Sequence, residues 1–210
     1  MKAQRNTHFH QAALSKCPRC NGSSHVLWNQ LGHDILQGAH CDHRFGLPLL
    51  SDCHLAHVYS DDYFEGGGAG YSNYLSEGTM LRKRGRQYAK RIKKLTGKTG
   101  TVVDVGAAAG FLLQGWFDAG WTGYGVEPNA TMARYGREVN RVDVRCNTFE
   151  SIEDLAPNSV DCVAMLQVLP HLIDPVSAIQ KANSILKPDG MLLIETWDRS
   201  SYFATFAGKG

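Results

Sequence analysis

Residues 102–113 most constrain what this chain can fold into. Val102 and Val103 read as the end of a buried apolar strand. Asp104 and Val105 follow, then a turn of Gly and Ala only, Gly106–Gly110, and the apolar run Phe111, Leu112, Leu113. A strand that enters a side-chain-free turn and leaves as a helix lets main-chain N–H groups come close to a ligand. Glu127 lies seventeen residues after Gly110, at the end of a second short strand, Thr122–Val126. A carboxylate at that point is placed to accept hydrogen bonds from a ribose. A dinucleotide turn would read G-x-G-x-x-G and offer its helix to a pyrophosphate. Here the spacing is Gly106, Ala108, Gly110, and Asp104 just before it would repel a pyrophosphate. It suits a cationic ligand with an amino-acid group.

The order of the downstream segments defines the fold class. Val142–Arg145 reads as a third strand, followed by Cys146, Asn147, Thr148, Phe149 and Glu150. Ser159–Leu166 is a fourth, almost continuously apolar. Such a run is expected where both faces of a sheet are covered. A helix is expected from about Val176 to Leu186, ended by Lys187-Pro188-Asp189-Gly190, with a fifth strand over Met191–Thr196. Strands alternating with helices predict an α/β fold, a doubly wound and mostly parallel Rossmann-like sheet.

The stretch Asp104–Gly110 resembles the first motif, D-x-G-x-G-x-G, of the class I S-adenosylmethionine-dependent methyltransferases, with Ala108 in place of the middle Gly. In that family the fourth-strand segment usually ends in Glu-His followed by Asp-Pro, and the fifth strand follows Lys-Pro-Gly-Gly. Here Pro170 replaces the Glu before His171, Asp174-Pro175 follows, and Asp189 replaces the first Gly of the last motif. The resemblance covers about residues 58–210. It implies an S-adenosylmethionine-binding domain over 81–210. In it Asp104, Gly106, Ala107, Ala108 and Gly110 would hold the amino-acid part. Glu127, with Pro128 beside it, would hold the ribose, and Asn147, Thr148 and Phe149 would flank the adenine. Met165, Leu166 and Gln167 would line the methyl-transfer face. His171 is the candidate general base, its ordinary pKa being near neutrality; the alternative is a packing or capping histidine. Only 14 residues follow Thr196. Members of the family add a further helix and two strands there. The expectation is therefore a carboxyl-terminally truncated sheet, with an exposed edge near Met191–Thr196 that invites self-association.

The first 57 residues have another character. They carry Cys17, Cys20, Cys41 and Cys53 and most of the nine histidines. Cys17-Pro-Arg-Cys20 is a Cys-x2-Cys knuckle, which sets two thiolates on one tetrahedral metal. His40-Cys41-Asp42-His43 lies where a second pair is due. It resembles the second knuckle of the zinc ribbons that precede some class I methyltransferases, but the expected first Cys is Gly38. A zinc site of Cys17, Cys20, Cys41 and His43, with His40 as the alternative fourth ligand, is one reading. The other is a decayed knuckle with no metal. Residues 58–80 form a Tyr- and Gly-rich connector. It is either a cover over the site, as the resemblance implies, or a plain linker.

With 43% hydrophobic residues and a net charge of +2, the chain suits one core plus a small appendage. No apolar run long enough to span a membrane occurs, and six cysteines in a chain of this length fit a reducing, cytoplasmic setting. Residues 81–98 read as an amphipathic basic helix, with Leu81, Tyr88, Ile92 and Leu95 at helical spacing. The leading functional expectation is methyl transfer to a small-molecule or saccharide acceptor. An RNA methyltransferase that grips nucleic acid with the ribbon and the basic helix is a second, against which the near-neutral charge argues. A non-catalytic cofactor-binding module is a third.

Overall fold

The computed structural model describes residues 16–30, 32–46, 60–65, 73–198 and 201. The chain divides into two compact units, Met1–Ser51 and Asp52–Gly210. The first holds three antiparallel strands in the order β1-β2-β3: β1 Ser24–Gln30, β2 His33–Gly38 and β3 Arg44–Gly46.

The second unit is a sheet flanked by helices. Its elements are α1 Asp61–Glu65, a 3-10 turn Tyr74–Glu77, α2 Gly78–Thr96, β4 Thr101–Val105, α3 Phe111–Asp118, β5 Thr122–Glu127, α4 Ala130–Glu138, β6 Val144–Cys146, β7 Val160–Leu166, a 3-10 turn Leu169–His171, α5 Pro175–Ile185 and β8 Leu186–Glu195. The five strands run parallel in the order β6-β5-β4-β7-β8. The order reverses at β4, so β4 and its neighbours open a crevice at their carboxyl ends, where ligands of such sheets bind.

The apolar runs of the central strands serve two layers at once. Along β7, Cys162, Ala164 and Leu166 pack with Ala89, Leu113 and Trp116 on one face. Val163 and Met165 pack with Val103, Val126 and Ile185 on the other. Period-2 alternation of a strand with no polar face produces this split. In α2 the buried face is Leu81, Gly85, Ala89 and Ile92. Leu95, expected on that face, is 65% exposed, because α2 meets α3 through its small residues instead. A methyl group on Gly85 would lie 2.1 Å from the Leu112 carbonyl oxygen, and one on Gly115 would lie 2.2 Å from that of Arg82. The two helices therefore touch backbone to backbone.

Strand boundaries differ little from expectation, with one exception. Lys187–Gly190 does not separate the last helix from its strand. It sits inside β8, whose pairing with β7 steps from Val160↔Leu186 to Cys162↔Met191. The Pro and Gly are absorbed as an irregularity in the strand, a position that tolerates the missing N–H. Among the described residues β8 pairs only with β7. Among the described residues no helix is long and apolar enough to cross a membrane.

Candidate functional site

A cavity opens at the carboxyl ends of β4, β5, β7 and β8, and its wall includes Gly106, Ala108, Glu127, Pro128, Thr148, Phe149, Leu166, Gln167, His171 and Glu195. The glycine-rich turn is fixed by main-chain bonds. The N–H groups of Gly106 and Ala107 both donate to the Val126 carbonyl, at 2.8 and 3.2 Å. Gly106 has φ +70°, and a methyl group there would stand 2.3 Å from Val168 Cγ2. Ala108 also lies in the left-handed region, at φ 45°, where a Cβ is strained. Ala108→Gly should therefore stabilise the protein, by about 0.5–1 kcal/mol once the extra freedom of glycine in the unfolded chain is subtracted. Denaturant unfolding measures it, and a loss of stability would contradict the assignment of strain.

Two carboxylates lie under the turn. Glu127, 3% exposed, accepts hydrogen bonds from the N–H of Ala108 at 2.9 Å and of Asn129 at 2.8 Å. Asp104 is 1% exposed, and its Oδ2 accepts no hydrogen bond from the described residues. Burial raises the pKa of Asp104 to about 7, with the nearby Glu127 adding to the rise. Burial likewise raises Glu127 to about 7, against the pull of the two N–H groups. Buried carboxyl groups at a crevice, one with an orphaned oxygen, call for a ligand that brings positive charge and hydroxyl donors. S-adenosylmethionine has both, and the donor set fits it.

Beyond β6, Thr148 and Phe149 form a wall of the cavity. The turn is braced from behind by Lys181 on α5, whose Nζ donates to the carbonyls of Glu150 at 2.9 Å and Ile152 at 2.6 Å. The same ammonium stands 5.5 Å from the centre of the Phe149 ring. Lys181 was not legible as a site residue, since it lies on a helix facing away from the strand ends. Lys181→Met should weaken cofactor binding roughly fivefold to tenfold by releasing this wall. Lys181→Arg should recover most of it, and equal affinity in all three forms, measured by calorimetry, would contradict the role.

The connector contributes a cover. Tyr63, Phe64 and Tyr74 line the cavity. Phe64 packs edge-on to Tyr74 at 5.5 Å, and Tyr74 lies 5.8 Å from Phe111. Asp61 ties this segment to the start of α4, accepting from Asn129 Nδ2 at 3.0 Å and Thr131 Oγ1 at 3.1 Å.

The far end of the cavity is polar. Glu195 closes β8, and its carboxylate accepts from Tyr88 Oη, from Arg84 Nη2 at 2.9 Å and from Gln167 Nε2 at 3.3 Å. Despite the cost of burial, these donors hold Glu195 below the usual carboxylate range. Gln167 is itself in the left-handed region, at φ 59°, with its N–H on the Glu195 carbonyl at 2.7 Å. His171 stands on the same wall, an exposed residue whose pKa partial desolvation lowers from the ordinary histidine value. Arg84 and Tyr88 belong to the basic helix, whose charges had suggested a solvated or nucleic-acid-facing surface. Of these charges Arg82 and Arg86 both pair with Asp118, at 2.7 and 2.6 Å.

Five expected positions are not on the cavity wall: Asp104, Ala107, Gly110, Asn147 and Met165. Met165 is fully buried in the opposite core layer, one residue out of phase with Leu166. Asn147 turns its Oδ1 back to the Thr148 N–H at 2.9 Å. Asp104, Ala107 and Gly110 lie buried in the strand end and turn that carry the wall.

In the first unit Cys17, Cys20 and Cys41 bring their sulfurs within 4.8 Å of one another. Zinc–sulfur bonds of about 2.3 Å give a tetrahedron with edges of roughly 3.8 Å, and the Cys17–Cys41 separation is 3.4 Å. The cluster fits a metal. His43 is not part of it, because its ring stacks on Phe45 with centroids 6.1 Å apart. His40 is not within that group either.

A doubly wound parallel sheet with this turn, and buried carboxyl groups at its switch point, is the arrangement of a class I S-adenosylmethionine-dependent methyltransferase. A family model described as a methyltransferase domain matches residues 80–207, and the chain belongs to that family. The ubiquinone biosynthesis O-methyltransferase of Actinobacillus pleuropneumoniae is 33% identical over 111 residues, 47% of this chain and 46% of that protein. Its counterpart in Pseudomonas paraeruginosa is 31% identical over 121 residues, 55% of this chain and 51% of that protein. The chain thus spans about half the length of the curated relatives it matches. Among solved structures, a SAM-dependent methyltransferase from Archaeoglobus fulgidus superposes with a TM-score of 0.53 at 21% identity, covering 63% of this chain and 62% of that one. The plantazolicin methyltransferase BpumL, bound to a pentazolic substrate analogue and SAH, gives 0.55 at 14% identity, covering 66% and 56%. At these identities the likeness is one of fold.

Proposed function

We propose that this chain methylates a hydroxyl of a small-molecule acceptor. The observation that carries the reading is the length of the cavity. Glu127 closes β5 and Glu195 closes β8, three strand spacings apart, or roughly 14 Å. The nucleoside end takes the part between β6 and β4. The part beside β7 and β8, lined by Arg84, Tyr88, Gln167, His171 and Glu195, is left for a second ligand with polar groups of its own. S-adenosylmethionine supplies an activated methyl on a sulfonium. The protein's task is then alignment and removal of a proton. His171, on the cavity wall, takes the proton of the acceptor hydroxyl as its oxygen gains the methyl. The names of the curated relatives, O-methyltransferases of ubiquinone biosynthesis, support a small acceptor and transfer to oxygen. The ion pairs of Arg82, Arg84 and Arg86 weigh against RNA, since they engage three of the basic helix's cations with carboxylates.

The test is to incubate the chain with methyl-labelled S-adenosylmethionine and, separately, a set of small phenols and sugars, total RNA, or no acceptor. Label is expected in small hydroxyl compounds, with His171→Ala lowering the rate at least tenfold. Label found only in RNA would overturn the reading. We propose further that residues 17–46 form a ribbon holding one structural zinc through Cys17, Cys20 and Cys41, with metal binding coupled to folding of that unit.

A further inference from the structure

The two turns that carry the cysteines have the same backbone. In the first, Cys17 donates its N–H to the Gly22 carbonyl at 2.9 Å, and Asn21 donates to the Cys17 carbonyl at 2.8 Å. In the second, Gly38 donates to His43 at 2.9 Å, and Asp42 donates to Gly38 at 3.2 Å. Asn21 and Asp42 are both left-handed, at φ 55° and 53°. The turns thus match residue for residue at an offset of 21, Cys20 answering to Cys41 and Cys17 to Gly38. A methyl group on Gly38 would stand 2.8 Å from Cys17 Sγ and 3.0 Å from Cys41 Sγ. The second turn keeps the hydrogen bonds and the strained residue of a metal knuckle, yet its first ligand position carries no side chain.

We infer that the ribbon is a three-thiolate metal site whose fourth corner, beside Gly38, is filled by an exchangeable small donor rather than by a side chain of the described residues. The inference rests on the proposal of a structural zinc in the ribbon. Its support is that the backbone of the second knuckle is intact and that neither His40 nor His43 joins the three sulfurs. A neutral nitrogen donor such as imidazole, or a thiolate, suits zinc at such a corner. The sulfurs near Gly38 are side-chain ends that can swing apart, so a fourth thiolate can be introduced there.

Cobalt(II) reports the corner directly. The reduced full chain is titrated with cobalt, and its visible bands are followed as imidazole is added. One cobalt per chain is expected, with bands that shift on adding imidazole. In Gly38→Cys the metal should bind at least roughly tenfold more tightly, with bands that no longer respond. Bands in the native chain that ignore imidazole would show a side chain in the fourth position and overturn the open corner, while leaving the metal site in place. A native chain that takes up no cobalt and no zinc would overturn both.

Discussion

Glu127→Ala should weaken S-adenosylmethionine binding by at least about 1.5–3 kcal/mol, the scale of hydrogen bonds to a charged group, or roughly tenfold to more than a hundredfold. The carboxylate has two duties. It lies on the cavity wall, and it receives the Ala108 and Asn129 N–H groups that hold the turn and the start of α4 in place. Glu127→Gln keeps one acceptor oxygen and should fall between the two. Calorimetric titration decides the matter, with thermal unfolding run alongside to show that the variants fold. Binding that survives Glu127→Ala within a factor of two would remove this residue from the site.

The second large effect is on pH. Asp104 and Glu127 have folded pKa values raised to about 7, well above their ordinary values of 3.8 and 4.5. The folded protein without ligand therefore holds more protons than the unfolded chain between about pH 4 and 7. Its stability is full below that window and falls as pH rises through it, at up to about 1.4 kcal/mol per unit for each group. The cofactor reverses the preference. A cation near Asp104 and ribose hydroxyls near Glu127 favour the ionised forms, so affinity should rise from pH 6 to 8 and binding at pH 6.5 should release protons. Calorimetry in buffers of different ionisation heat measures the release, and Asp104→Asn should reduce it. Binding without proton release would show that the two groups are already ionised.

The sheet was legible because its strands announce themselves twice, by apolar runs and by the breakers between them. The Gly/Ala turn and Glu127, which the cavity wall includes, were legible because such a turn and an acidic residue after the next strand have few other uses. The wall near β8 was not. Arg84 and Tyr88 sit on a helix whose sequence reads as an ordinary amphipathic surface, and their partner Glu195 lies 111 residues from Arg84. Only the strand order brings them together. Met165 falls in the opposite core layer for a local reason: along a strand end, a shift of one residue exchanges wall for core. In the ribbon the spacing of the cysteines located the cluster. The stacking of His43 on Phe45 depends on how β3 turns back, which spacing does not encode.

The contact of α2 with α3 at Gly85 and Gly115 has a consequence for how the acceptor end can adapt. Two main chains in direct touch have no pliable side chain between them to take up movement. A displacement of α2 would be passed on whole to α3, and α3 springs from the cofactor turn. The helix that carries Arg84 and Tyr88 is therefore anchored like a jaw with no play in its hinge. On the proposed function, acceptors of different girth are met by the side chains at that end of the cavity, Arg84, Tyr88, Gln167, His171 and Glu195, rather than by movement of α2 against α3.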